Sequence, residues 1–146
     1  MDISSAGQPL APEDVGRLAS ASAPDWHPRG ERVVYAVTTL SGDRAQSRLF
    51  EAGVDRAPRP LTHDGHSHSP AWAPDGHALA FLATRGDEAG LYLLDARGGG
   101  AERIASLPGT PRSVEWAPDS RHVAVEVLTA PAAPDRPAWC AACGTT

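Results

Sequence analysis

The sequence predicts an all-β fold, a partial β-propeller of about two and a half four-stranded antiparallel blades. A Trp-x-Pro pentapeptide occurs three times, as Trp26–Gly30, Trp72–Gly76 and Trp116–Ser120. The three tryptophans are separated by 46 and 44 residues. In the first two periods, four short strand patterns follow one another. A period in the forties that holds four strands is typical of propeller blades.

Each copy of the repeat predicts a strand that ends at the tryptophan, then a type I turn, then a second strand. Proline suits the second position of the turn because its φ is already fixed, and glycine is favoured at the fourth. Arg29 and Ser120 depart from the pattern, but a type I turn tolerates most residues at those positions. We expect each tryptophan to lie in the core against a neighbouring blade. The repeat is defined by Trp26, Pro28, Gly30, Trp72, Pro74, Asp75, Gly76, Trp116, Pro118 and Asp119.

The remaining strands are predicted from alternation and from the polar turns between them. Valine at every second position from Val123 to Val127 is the clearest case. Second strands are predicted at 33–38, 78–83 and 122–127, third strands at 47–52 and 90–95, and fourth strands at 59–62 and 102–106.

The chain is divided by these elements into five segments. Residues 1–22 form an N-terminal segment, in which 12–20 can form a short helix because Pro12 suits its first position. Blade 1 is predicted at 23–68, blade 2 at 69–112, the start of blade 3 at 113–130, and an irregular Pro/Ala-rich tail at 131–146. No strand pattern follows Val127, and an open sheet edge favours aggregation. We therefore expect the chain to be an incomplete piece of a larger protein, or a truncated product.

Composition argues against several classes of function. The net charge of −5 provides no basic surface for nucleic acid or for an anionic membrane. The apolar runs reach about five to seven residues, far below the roughly 20 that span a bilayer. The N-terminus has neither the basic nor the apolar region of a secretory signal, which predicts a cytoplasmic protein. Cys140 and Cys143 have the spacing of a zinc half-site or redox pair, but lack a second pair and are interpreted as adventitious.

Two short patterns contain residue types that are common in catalytic and metal sites. Gly65-His66-Ser67-His68-Ser69 is similar to the Gly-x-Ser-x-Gly nucleophile elbow, but its last residue is serine and no strand–turn–helix context surrounds it. His63, Asp64, His66 and His68 carry metal-ligating groups, yet their spacing matches no closed zinc site. Both patterns are interpreted as a solvated loop between blades. The sequence therefore predicts no catalytic residue, no cofactor and no metal.

A family resemblance adds to this interpretation. The segment Ser69–Phe81 resembles the blade repeat of TolB-type propellers and of the propeller in the prolyl oligopeptidase family. Pro12–Val15 and Ser22–Trp26 resemble the start of its acylaminoacyl-peptidase-like and dipeptidyl-aminopeptidase-like members. The resemblance implies a propeller that lies over an α/β-hydrolase domain and admits only short peptides to it. The catalytic serine, acid and histidine would belong to that domain, which this sequence lacks.

The function expected from the sequence is that of a non-catalytic propeller fragment of a serine peptidase. Its partners would be the missing hydrolase domain and, for the complete enzyme, short peptides. Two alternatives stay open: a fragment of a TolB-like propeller that binds other proteins, and a truncated remnant without independent function.

Overall fold

A computed structural model describes residues 19–41 and 44–129, which form ten strands in three antiparallel sheets. In the first two sheets the strands follow one another in chain order, and the third sheet is a pair. The described residues include no helix, and so none long and apolar enough to cross a membrane. The partial all-β propeller is therefore confirmed. The strands are β1 (Ala19–Trp26), β2 (Arg32–Ser41), β3 (Arg44–Gly53), β4 (Arg56–Pro60), β5 (His66–Trp72), β6 (Ala78–Arg85), β7 (Glu88–Asp95), β8 (Glu102–Leu107), β9 (Thr110–Trp116) and β10 (Val123–Leu128).

The predicted strands are all present, but their extents differ: β2 ends three residues later than predicted and β3 begins three residues earlier. β4 begins three residues earlier than predicted and ends at Pro60. It does not extend to Thr62 because Thr62 contacts β3 through its side chain: the Thr62 hydroxyl accepts a hydrogen bond from the Leu49 N–H (3.0 Å). Ala19 and Ser20, predicted to end a short helix, instead pair with β2. The rest of that helix, and the tail at 131–146, lie outside the described residues.

The three repeat turns have one shared geometry. In each, the N–H of the fourth residue donates to the carbonyl of the first, at 2.7 Å for Gly30, 2.8 Å for Gly76 and 3.1 Å for Ser120. All three fourth residues have positive φ, between 54° and 74°. Glycine adopts this conformation at little cost, so Ser120 carries backbone strain that the sequence pattern does not reveal. At Gly76 a side chain is excluded as well, because a Cβ would lie 2.7 Å from His27 Nε2.

The central strand β6 contributes to the core on both of its faces. Leu79, Phe81 and Ala83 face the first sheet, while Ala80 and Leu82 face the third. All five are fully buried. Successive side chains of a strand point to opposite faces, so a continuous apolar run is buried only if both faces are covered. The second sheet is therefore the middle layer of the described structure, with the first and third sheets on either side.

The three repeat tryptophans are not equally buried, contrary to the prediction. Trp72 is only 7% exposed and Trp116 is half-buried, but Trp26 is 59% exposed. The reason is directional: Trp72 packs on the first sheet and Trp116 on the second, so each tryptophan needs the sheet that precedes it. In the described part of the chain, no sheet occupies that position for Trp26.

His27 joins the first sheet to the turn of the second. Its ring lies edge-on to Trp72, with 4.8 Å between centroids. Its Nδ1 accepts the Arg29 N–H (3.2 Å), so its hydrogen is on Nε2, which donates to the Gly76 carbonyl (3.1 Å). Asp25 adds a second hydrogen bond to the same junction, because its carboxylate accepts the backbone N–H of Trp72 at 2.6 Å.

The junction between the second and third sheets uses different groups at corresponding places. The Ser120 hydroxyl accepts the Asp75 N–H (3.1 Å), which links the two turns. The Trp116 indole N–H donates to the Ala71 carbonyl (2.9 Å). Each junction therefore has one bond between turns and one bond at the tryptophan, and of the side chains that make them only Trp116 is specified by the repeat.

Truncating Trp72 should destabilise the fold far more than truncating Trp26. Trp72→Ala removes a buried side chain between two sheets and should lower the free energy of unfolding by about 3–5 kcal/mol. Trp26→Ala, the matched control, should cost under about 1 kcal/mol because its side chain is largely exposed. Urea unfolding of the 146-residue chain, followed by far-UV circular dichroism, measures both. Equal losses would contradict the directional packing.

Replacing His27 by the alanine of the other two repeats should also weaken the junction. His27→Ala loses a buried hydrogen bond and an aromatic contact, and we expect a loss of about 2–4 kcal/mol. His77→Ala, at an exposed position in the same region, should stay within about 0.5 kcal/mol of the unchanged chain. The same unfolding experiment distinguishes them, and a neutral His27→Ala would show that the junction does not depend on this side chain.

Candidate functional site

The first strands of the three sheets line one shared cavity. Its volume is about 510 Å³, and its walls come from β1, β5 and β9. Counted back from the tryptophan, corresponding positions line it in each sheet: Asp25, Ala71 and Glu115, for example. The side chains of these three strands are therefore presented toward one another, as expected of strands around the axis of a propeller.

β1 and β5 are each interrupted by a bulge at the same place. The register shifts between Ser22 and Asp25 in β1 and between His68 and Ala71 in β5. Ala23 and Ser69, three residues before their tryptophans, have φ of 48° and 49°. A non-glycine residue in this region costs about 1–2 kcal/mol. Because the same strained bulge occurs in both sheets, it is a feature of the repeated fold. The two sheets differ in the side chain at the strained position, which is alanine in β1 and serine in β5.

In β5, strand alternation places two of the histidines singled out in the sequence on one face. His66 and His68 lie in the strand, so the prediction of a loop is wrong for them, although His66 is solvent-exposed as predicted. His63 and Asp64 are exposed and precede β5. The His66 and His68 rings are 5.6 Å apart between centroids. With Arg112 of β9 they line a groove of about 350 Å³ between the second and third sheets. Pairing with β6 thus converts an apparent loop into an ordered polar surface.

The proton positions in this groove follow from the hydrogen bonds. Ser69 Oγ donates its single hydrogen to the Arg112 carbonyl (2.9 Å), because a carbonyl can only accept. His68 Nδ1, 3.0 Å from the same Oγ, must then be the donor to it. Burial, and secondarily the neighbouring His66, lower the pKa of His68, which favours the neutral ring.

Neither serine of the elbow-like pattern is placed to act as a nucleophile. An activated serine donates its proton to a base, but Ser69 gives its proton to a carbonyl and receives one from His68. Ser67 is 1% exposed inside β5. No helix follows either residue within the described ranges.

A second polar cluster lies where the first and second sheets meet. The carboxylate of Glu51 is buried and binds Arg32 (3.0 Å) and Arg59 (2.6 Å) through separate oxygens. The Arg32 guanidinium also lies 4.7 Å from the Trp72 ring centroid, a cation–π contact. Both Glu51 oxygens are occupied by guanidinium groups, so this carboxylate is suited to holding β2, β3 and β4 of the first sheet together and not to proton transfer.

The acidic residues of the repeat turns satisfy their own backbone. Asp75 accepts the His77 N–H (2.9 Å), and Asp119 accepts the Arg121 N–H (2.9 Å). That backbone bond, with the His122 side chain second, lowers the pKa of Asp119. Among residues 19–41 and 44–129, no three His, Cys, Asp or Glu side chains are grouped to hold a metal. Cys140 and Cys143 lie outside the described residues.

Three residues that contribute to the first junction, the polar cluster and the groove were not identified from the sequence: His27, Glu51 and Arg112. His27 had a signal, since it replaces the alanine found after the other two repeat tryptophans. Glu51 and Arg112 had none, because a charged residue in a strand pattern is most often solvated.

Sequence comparison shows that the chain is similar to parts of peptidases and of TolB proteins. It is 28% identical over 124 residues to the uncharacterized peptidase YuxL of Bacillus subtilis, covering 81% of this chain and 19% of that protein. It is 31% identical over 94 residues to the Tol-Pal system protein TolB of Anaeromyxobacter dehalogenans, covering 64% of this chain and 21% of that protein. The chain thus spans about a fifth of the length of the relatives it matches. A scan against models of protein families finds no match.

Comparison with solved structures identifies the fold. Acylaminoacyl peptidase of Pyrococcus horikoshii superimposes with a TM-score of 0.68 at 19% identity, over 83% of this chain and 19% of that one. The β-propeller domain of the Trilobed protease of Pyrococcus furiosus gives 0.60 at 22% identity, over 73% of this chain and 34% of that one. The fold of this chain is therefore that of the propeller of the prolyl oligopeptidase family, built from TolB-type repeats.

Proposed function

We propose that this chain is part of the propeller of a prolyl-oligopeptidase-family serine peptidase, and that the propeller gates the access of short peptides to a hydrolase domain outside this sequence. The observation that carries the proposal is the match to a peptidase over 81% of this chain but only 19% of the peptidase. A cytoplasmic location is part of the same proposal.

The described sheets support a role in an assembly larger than themselves. Two four-stranded sheets and a pair cannot surround a channel, for which about four to eight blades are typical. β1 and the large side chain of Trp26 are exposed on the side where the repeat geometry would place another blade. Gating by exclusion needs a closed ring, so the proposal requires further blades in the functional protein.

The side chains of the described residues favour a role in access over one in catalysis. Ser67 is buried, Ser69 has its proton on a carbonyl, and Glu51 is neutralised by two arginines. In the proposal, bond cleavage is therefore assigned to the hydrolase domain. The three first strands, which line one cavity, supply part of the wall along which a peptide would pass.

A second candidate is an interaction propeller of the TolB type. The 31% identity to TolB favours it, because that value exceeds the identity to the peptidase, although over fewer residues. The two candidates differ in what accompanies the propeller. The coding DNA beyond codon 130, translated in all three frames, should contain a Gly-x-Ser-x-Gly motif between a strand and a helix for the peptidase. Further Trp-x-Pro-Asp-Gly copies and then a stop codon would favour the interaction propeller.

The isolated 146-residue chain should not hydrolyse peptides. We expect acyl-amino-acid and dipeptide chromogenic substrates to be cleaved at the uncatalysed rate, because the nucleophile is assigned to another domain. Release of chromophore is measured by absorbance, with a purified acylaminoacyl peptidase as the positive control. Turnover that copurifies with the chain and disappears in Ser69→Ala would contradict the division of roles.

A further inference from the structure

We propose that His66 and His68 chelate one divalent transition-metal ion, such as Ni²⁺ or Zn²⁺, in the groove between the second and third sheets. The two residues alternate along β5 with one residue between them, so their side chains leave the same face of the strand. Neutral imidazole nitrogen is a preferred ligand of both ions. The proposal is independent of the peptidase assignment.

The separation of the two rings suits a shared ion. With metal–nitrogen distances of about 2.0–2.1 Å and a near-tetrahedral angle, two imidazoles on one ion have ring centroids about 5–6 Å apart. The observed distance is 5.6 Å, with the planes tilted by 50°. The separation of the centroids therefore matches that of two imidazoles bound to one ion.

The hydrogen bonds of Ser69 determine which nitrogen of His68 is unprotonated and able to bind a metal. Because Ser69 Oγ gives its hydrogen to the Arg112 carbonyl, it can only accept from His68 Nδ1–H. The unprotonated nitrogen of His68 is then Nε2, which carries the lone pair that binds a metal. Metal-binding histidines ordinarily donate their other N–H in this way, which fixes the ring orientation and raises its basicity.

The groove leaves space for the remaining ligands of the ion. It measures about 350 Å³ and is completed by Thr84, Thr110, Pro111 and Arg112. Two protein ligands leave two or more coordination positions open for water or an added ligand. The Arg112 guanidinium opposes a bare cation and favours an anionic group at one of these positions.

The fold does not require two imidazoles at these positions. Six and four residues before the repeat tryptophan, the first sheet has Ser20 and Ser22 and the third has Thr110 and Arg112. All three sheets form the same first strand with these different side chains. The pair is therefore an addition to the second sheet and has no role in the repeat.

Calorimetric titration of the 146-residue chain with Ni²⁺ and with Zn²⁺ tests the proposal, with Cys140→Ser and Cys143→Ser in every sample so that this second pair of possible zinc ligands is absent. We expect one ion per chain, and at least about tenfold weaker binding for His66→Ala and for His68→Ala, because the remaining imidazole loses the effective concentration of the chelate. His63→Ala is the matched control, since His63 is exposed just before β5, and its affinity should equal that of the unchanged chain.

Several outcomes would overturn the proposal. Unchanged affinity in both variants, equal loss in His63→Ala, or binding that persists in denaturing urea would each show that the β5 geometry is not what binds the ion. A measurement without metal gives a second test: long-range ¹H–¹⁵N spectra should show His68 protonated on Nδ1 and not on Nε2. The opposite tautomer would remove the ligand nitrogen and contradict the proposal.

Discussion

The burial of Trp72 between the second sheet and the turn of the first is the contact on which the rest of the described structure depends. Trp72 packs in the same cluster as Phe81 of β6 and Leu49 of β3, and it touches His27 and Arg32 of the preceding sheet. A four-stranded sheet with two apolar faces is stable only when both are covered. One tryptophan per period helps to cover the face between two sheets, because each buried tryptophan packs on the sheet that precedes it in the chain. The same rule leaves Trp26 exposed in the part of the chain that the structure describes.

Departures from the repeat are as informative as the repeat itself. His27 stands where the other copies have alanine, and Ser120 where they have glycine. Each makes a bond between neighbouring turns, His27 to the Gly76 carbonyl and Ser120 to the Asp75 N–H. Ser120 does so despite a φ of 54°, a conformation that glycine would adopt with less strain. The repeat tryptophans thus pack one blade on the next, and the residues that vary add hydrogen bonds between neighbouring turns.

Local interactions were predictable from the sequence, and contacts between sheets were not. The turns, and the strand ends at each tryptophan, follow from proline at a fixed φ and from alternation, which involve neighbours in the chain. The burial of Trp26 was wrongly predicted because it depends on a preceding sheet. His66 and His68 were wrongly assigned to a loop, since glycine and polar residues around them gave no apolar alternation, and only pairing with β6 makes them a strand. Glu51 is buried because strand pairing within the first sheet places Arg32 and Arg59 beside it, and that pairing could not be read from the isolated strand pattern.

The first strands of the three sheets contain positions at which the side chain can vary without changing the repeated fold. Their backbones are held by pairing with the second strands and by the tryptophan that ends each one, so the residues before the bulge are not needed for the core. In the second and third sheets those positions line the groove, where side chains can vary without cost to the blades. In the first sheet they are serines, in the third a threonine and an arginine, and in the second two histidines, of which His68 has its tautomer set by Ser69. A function specific to this chain is therefore to be sought at these positions and not among the repeat residues, whose side chains are already committed to holding the blades together.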